Sequence, residues 1–86
     1  MIIYIVSYTR YDEHDKNLYT WRRPLINWQD ALDLYKSEVE IARADLSSEN
    51  ENCSFSLNEK EDEFEHVFER QDPYSKIVVE ITSHAI

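Results

Sequence analysis

Histidine stands among carboxylates in two places, Asp12-Glu13-His14-Asp15 and Glu65-His66 with Glu69, and these are the side-chain types that ligate metals or move protons. Neither spacing suits the task. Consecutive residues point in different directions and rarely converge on one ion, so the first cluster reads as a solvated loop. In an extended strand Glu65 and His66 present opposite faces, and His66 reads as a structural histidine with its hydrogen bonds satisfied. The single cysteine, Cys53, has polar neighbours and no charged activator close in sequence; one cysteine permits neither an intrachain disulfide nor a Cys-rich zinc site. The chain contains no glycine. Phosphate loops, nucleophile elbows and the EF-hand calcium loop all need glycine where backbone turns sharply or approaches a ligand, which argues against those chemistries. No catalytic residue, metal or cofactor is expected, and the protein should act by binding.

What remains is charge. Eighteen acidic against nine basic residues give a net charge of −9, which repels nucleic acid and anionic membrane and attracts basic surfaces. The bland use of such charge is solubility. The sharper use lies in Glu59-Lys60-Glu61-Asp62-Glu63-Phe64-Glu65-His66-Val67-Phe68-Glu69, where strand period puts Glu59, Glu61, Glu63, Glu65 and Glu69 on one side and Phe64, His66 and Phe68 on the other. Alternate strand residues lie about 6.6–6.8 Å apart, and at about 7 Å in water neighbouring carboxylates repel by roughly 0.6 kcal/mol before screening. A row held against that repulsion suits a cationic partner, although charges also guard a sheet edge against pairing with other chains. The expected partner-binding surface is therefore Glu59, Glu61, Asp62, Glu63, Glu65 and Glu69, joined by Asp12, Glu13 and Asp15 if the fold brings that loop near. Duplex DNA carries a charge about every 3.4 Å per strand, so imitation of DNA would also need the helix acids Asp30, Asp33 and Glu40, or a second subunit in a homodimer.

Trp21-Arg22-Arg23-Pro24 joins a ring to two cations, the ingredients of a single-strand contact. In a strand, however, Arg22 and Arg23 face opposite ways. Pairing with the surplus carboxylates is their expected use, and Tyr19 and Trp21, which share a side, are expected in the core.

The elements that must position these residues follow from periodicity. Residues 2 to 9 alternate as a strand rich in Ile, Tyr and Val. A polar loop from Tyr11 to Asn17 leads to a second strand, Leu18 to Arg23, pairing back as a hairpin, with Pro24 ending it or lying on a sheet edge. Asn27 is a candidate N-cap with Asp30 three residues on. Behind it Trp28, Ala31, Leu32, Tyr35, Val39, Ala42 and Leu46 form one apolar helical stripe over about 28 to 46. After a polar break, strands are expected at Cys53 to Leu57, Glu63 to Arg70 and Lys76 to Ser83, with Asp72-Pro73 turning between the last two. Phe64, Val67, Phe68 and Gln71 also fit helical spacing, but only a strand sorts the glutamates to one side. The core should draw on Tyr4, Tyr8, Trp21, Trp28, Tyr35, Phe55, Phe64 and Phe68, because a short chain buries little surface and rings carry much of it. The order β-β-α-β-β-β implies one α+β domain over residues 1 to 86, an antiparallel sheet of about four to five strands with one amphipathic helix on a face.

A small acidic binding protein of this kind should engage a basic protein, one that itself binds nucleic acid, and not nucleic acid or membrane directly. In size, acidity and strand-and-helix make-up the chain resembles the small phage proteins that disable host defence nucleases, anti-CRISPR and anti-restriction inhibitors among them; the resemblance is one of type and no motif carries it. It implies an inhibitor, in part a DNA mimic. An immunity protein or antitoxin neutralising a cationic toxin fits the same charge pattern, as does a small accessory subunit. The apolar start, Met1 to Val6, lacks a basic flank and soon meets Ser7 and Arg10, so a cytoplasmic location is expected, the host's if the protein is phage-encoded.

Overall fold

A computed structural model describes residues 1–11, 17–48, 57–70 and 74–86. Alternating β-branched and aromatic residues make β1 (Ile2–Tyr11) and β5 (Ser75–Ala85) the two longest strands, and they pair antiparallel along their length. β2 (Asn17–Leu25) returns from β1 as the expected hairpin and forms one edge, while β4 (Glu65–Arg70) and β3 (Leu57–Glu61) extend the other side. The result is a five-stranded antiparallel sheet in the order β2-β1-β5-β4-β3, with helix α1 (Trp28–Ser48) packed on one face. The α+β class and the order β-β-α-β-β-β are as expected. Pro24 lies in edge strand β2, where a missing N–H is tolerated.

The helix begins where the sequence places its cap: Asn27 Oδ1 accepts the Asp30 N–H at 3.1 Å, and the Asn27 carbonyl accepts the Ala31 N–H at 3.1 Å. Ala31, Tyr35, Val39, Ala42 and Leu46 bury the predicted stripe, and the two alanines, both fully buried, let the helix lie close to the sheet. Beneath it lie Val6, Tyr8, Phe68, Ile77, Val79 and Ile81. No basic residue occupies the last helical turn; instead buried Arg70 reaches from β4 to donate to the Leu46 carbonyl at 3.3 Å, bringing a cation to the negative end of the helix.

The acidic run departs from expectation. Strand period predicts one extended segment from Glu59 to Glu69, yet Glu63 and Phe64 form the turn of a hairpin, closed by the Asp62 N–H donating to the Glu65 carbonyl at 2.8 Å. Two-residue hairpin loops favour Asn-Gly or Asp-Gly, and Glu-Phe carries no such signal. Register then inverts the predicted sides. Glu59 pairs with Phe68 and Glu61 with His66, and directly opposed residues share a face, so Glu59 and Glu61 lie on the helix side while Glu65 and Glu69 lie on the opposite side. Phe64, expected in the core, is 46% exposed, and Trp28 is 39% exposed. Tyr19 is also exposed, while Tyr4 and Trp21 pack partly buried against the core. Phe55, Asp72-Pro73 and most of the strand expected at Cys53 to Leu57 lie outside the described residues, in which β3 starts at Leu57.

Both sheet edges are blunted against strand addition: β2 carries exposed Arg22, Arg23 and Pro24, and β3 is short and bears Glu59, Lys60 and Glu61. Among the described residues no helix is long and apolar enough to cross a membrane.

Candidate functional site

The hairpin gathers some of the expected carboxylates and disperses others. Glu61, Asp62 and Glu63 stand together and exposed at its tip, and among the described residues no ion pair engages them. Glu59, by contrast, is occupied. One of its oxygens accepts hydrogen bonds from Arg43 Nε at 3.1 Å and Nη2 at 2.8 Å, and lies 3.0 Å from His66 Nε2. The Arg43 hydrogen bonds above all hold the Glu59 carboxyl below its ordinary value, against a smaller upward push from desolvation. Glu69 sits on the far face opposite Lys76 and accepts the Tyr74 hydroxyl at 2.9 Å. The loop acids Asp12, Glu13 and Asp15, with His14, lie outside the described residues, as does Cys53.

Two depressions flank the tip. On the helix side a cavity of about 360 Å³ is lined by Leu32, Tyr35 and Val39, by the acids Glu61, Asp62 and Glu63, and by the cations Lys36 and Arg43. The field of the tip is felt there: burial first, then the charges of Glu61, Glu65 and Asp62, pushes the Tyr35 hydroxyl above its usual value. Of the helix acids invoked for mimicry, Glu40 is held by Arg43 at 2.6 Å and Asp33 by the Gln29 amide at 2.9 Å. On the other side a groove of about 590 Å³ runs past Asp62, Glu63, Glu65 and Glu80.

Glu80, Trp28 and Phe64 were not singled out by sequence as site residues. Glu80 enters because β4 and β5 set it directly opposite Glu65, a juxtaposition only register reveals. Trp28 and Phe64 meet edge to face at 6.0 Å and 82°. Their apolar type looked like core, and the turn at Glu63-Phe64 that exposes Phe64 is unsignalled.

His66 is buried as expected, stacked on Phe68 with ring centres 4.4 Å apart. Among the described residues no group of three or more His, Cys, Asp and Glu side chains could hold a metal ion. Arg22 and Arg23 make no ion pair among the described residues, contrary to the expected pairing. The chain matches no family model, no curated protein and no solved structure.

Proposed function

We propose that the protein is a non-enzymatic binding protein whose acidic hairpin end docks on the basic surface of another protein, one that acts on nucleic acid, and inhibits it. The observation that supports this reading is the exposed trio Glu61, Asp62 and Glu63, projecting without a cationic partner among the described residues while Glu59 nearby is neutralised by Arg43. Unneutralised surface charge of one sign steers a partner of the other sign and raises its association rate. The carboxylates form a cluster at a tip and not a line at phosphate spacing, so the inhibitor occupies a basic site as an acidic plug and any imitation of DNA is partial. The setting is the cytoplasm, that of the host for a phage-encoded inhibitor.

Affinity purification from the native host, with mass-spectrometric identification, tests the reading. The retained protein should be basic and bind nucleic acid, its capture should weaken as salt rises, and a Glu61→Lys/Asp62→Lys/Glu63→Lys variant with an unchanged melting temperature should lose it. Capture indifferent to salt and to these substitutions would overturn the proposal.

A further inference from the structure

We propose that the aromatic pocket beside the hairpin tip receives an arginine side chain of the basic partner, a specificity that rests on the binding role proposed above. Tyr4, Trp28 and Phe64 line a cavity of about 100 Å³ with Ile81 and Ser83. Tyr4 meets Trp28 edge to face at 5.2 Å and 62°, and Trp28 meets Phe64 at 6.0 Å and 82°. Large rings left in water at a concave site are the anchors that bound partners cover.

The fold explains why the pocket is open. β4 begins at Glu65 opposite Glu80, and the last backbone bond of that ladder runs from the Ile81 N–H to the Phe64 carbonyl at 2.9 Å. β5 continues to Ala85. Its final residues form a ledge beyond the hairpin, and Phe64 and Trp28 stand over that ledge.

Charge identifies the occupant. The pocket shares Phe64, Ile81 and Ser83 with the groove that carries Asp62, Glu63, Glu65 and Glu80. Because Phe64 and Ile81 exchange the hydrogen bond, Glu65 and Glu80 form the adjacent non-bonded pair, whose side chains are the closer kind in an antiparallel ladder. Both are half-buried, and among the described residues no ion pair relieves them; the Ser7 hydroxyl donates to Glu80 at 3.4 Å. Like charges directly opposed in a sheet are destabilising. Glu65 and Glu80 lie on the sheet face away from the helix, and the helix-side pocket meets them only around the sheet edge, through the groove that passes Asp62 and Glu63. An occupant that rests on the rings and carries its charge to that acidic edge is a long side chain that is flat, weakly hydrated and cationic. Guanidinium stacks on rings and presents a fork of donors to carboxylates, which lysine's compact, strongly hydrated ammonium does not. The neighbouring helix N-terminus does not oppose the cation strongly, since Asn27 caps it and Asp30 lies in its first turn.

The test is a nuclear magnetic resonance titration of the intact chain with N-acetyl-arginine amide, N-acetyl-lysine amide and N-acetyl-norleucine amide, following the Trp28 indole, assigned by Trp28→Phe. Arginine amide should give saturable shifts at the Trp28 indole and the Phe64 and Ser83 amides, at about threefold or more higher affinity than norleucine amide. Phe64→Ala should weaken arginine by a similar factor while the Trp21 indole signal and the melting temperature stay in place. Equal shifts from arginine and norleucine, a preference for lysine, or undiminished arginine binding in Phe64→Ala would overturn the inference. Retention of the purified partner by Phe64→Ala with loss in the charge-reversed tip would sink the pocket and leave the binding role standing; retention by both would sink the role itself.

Discussion

Arg43 grips a single oxygen of Glu59 through Nε at 3.1 Å and Nη2 at 2.8 Å, and this contact ties the C-terminal half of the helix to the edge strand. Both side chains are about one-third exposed, at 37% and 35%, so solvent screens the pair and Glu59→Gln should cost only about 0.5–1 kcal/mol at neutral pH. The pH dependence is more telling. The folded Glu59 carboxyl lies below its usual value of 4.5, so its stabilisation is fully present above that value and is lost as pH falls through the lowered folded value. Urea melts taken from neutral to acid pH should show a shallower loss of stability for Glu59→Gln than for the wild type; parallel curves would show that the contact contributes nothing.

Tyr8 joins β1 to the helix through its hydroxyl, which donates to Asp45 Oδ2 at 3.2 Å, and its ring stacks with Tyr19 at 5.7 Å and Trp21 at 6.1 Å. Burial first, then Tyr19 and Asp45, pushes this hydroxyl far above the usual phenol value of 10.0. The folded chain keeps a proton that the unfolded chain releases, so stability is present below pH 10.0 and declines above it. Tyr8→Phe should cost about 0.5–1.5 kcal/mol at neutral pH and reduce the alkaline decline, leaving the share due to Tyr35. Absorbance titration should show one fewer late-ionising tyrosine.

Where a periodic pattern ran unbroken, the sequence disclosed its structure: the helix from Trp28, its Asn27 cap, and the β1 and β5 strands rest on local preferences that tertiary packing reinforces. The acidic run failed because alternation continues through a turn without marking it. Glu63 and Phe64 keep the parity of a strand while reversing the chain, so the glutamates, read as one row, divide between two faces. Long-range register also made the part of the site that sequence concealed. Glu80 stands four residues from Lys76 in β5 with nothing to connect it to Glu65 until β4 and β5 are paired. Trp28 and Phe64 looked like core by type, and only the hairpin's position beside the start of the helix leaves both rings in water.

Asn27 holds the Asp30 amide in the first turn of the helix, and Trp28 follows Asn27 directly. Asn27→Ala should lower stability by about 1 kcal/mol, read from the urea midpoint with an unchanged slope. Asn27→Asp should preserve the cap, because aspartate accepts the same bond and its charge suits the helix N-terminus. Equal losses in the two variants would show that the side-chain bond to Asp30 is not what stabilises this end.

The hairpin tip should respond in the opposite sense to Glu59. Glu61, Asp62 and Glu63 have no ion pair to lose among the described residues, and Glu61 and Asp62, with Glu65, set up the negative field that helps raise the Tyr35 hydroxyl. Replacing Glu63 with Lys removes repulsion and introduces attraction toward Asp62 and Glu65, so the melting temperature should hold or rise at low salt. Repulsion between exposed charges fades as the Debye length shrinks from about 30 Å at 0.01 M to about 8 Å at 0.15 M salt. The wild type should therefore gain stability over that range, and Glu63→Lys should gain less. A clear loss of stability in Glu63→Lys at low salt would mean that the carboxylate is needed for the turn itself, and the tip would then be a structural feature with no charge to spare for a partner.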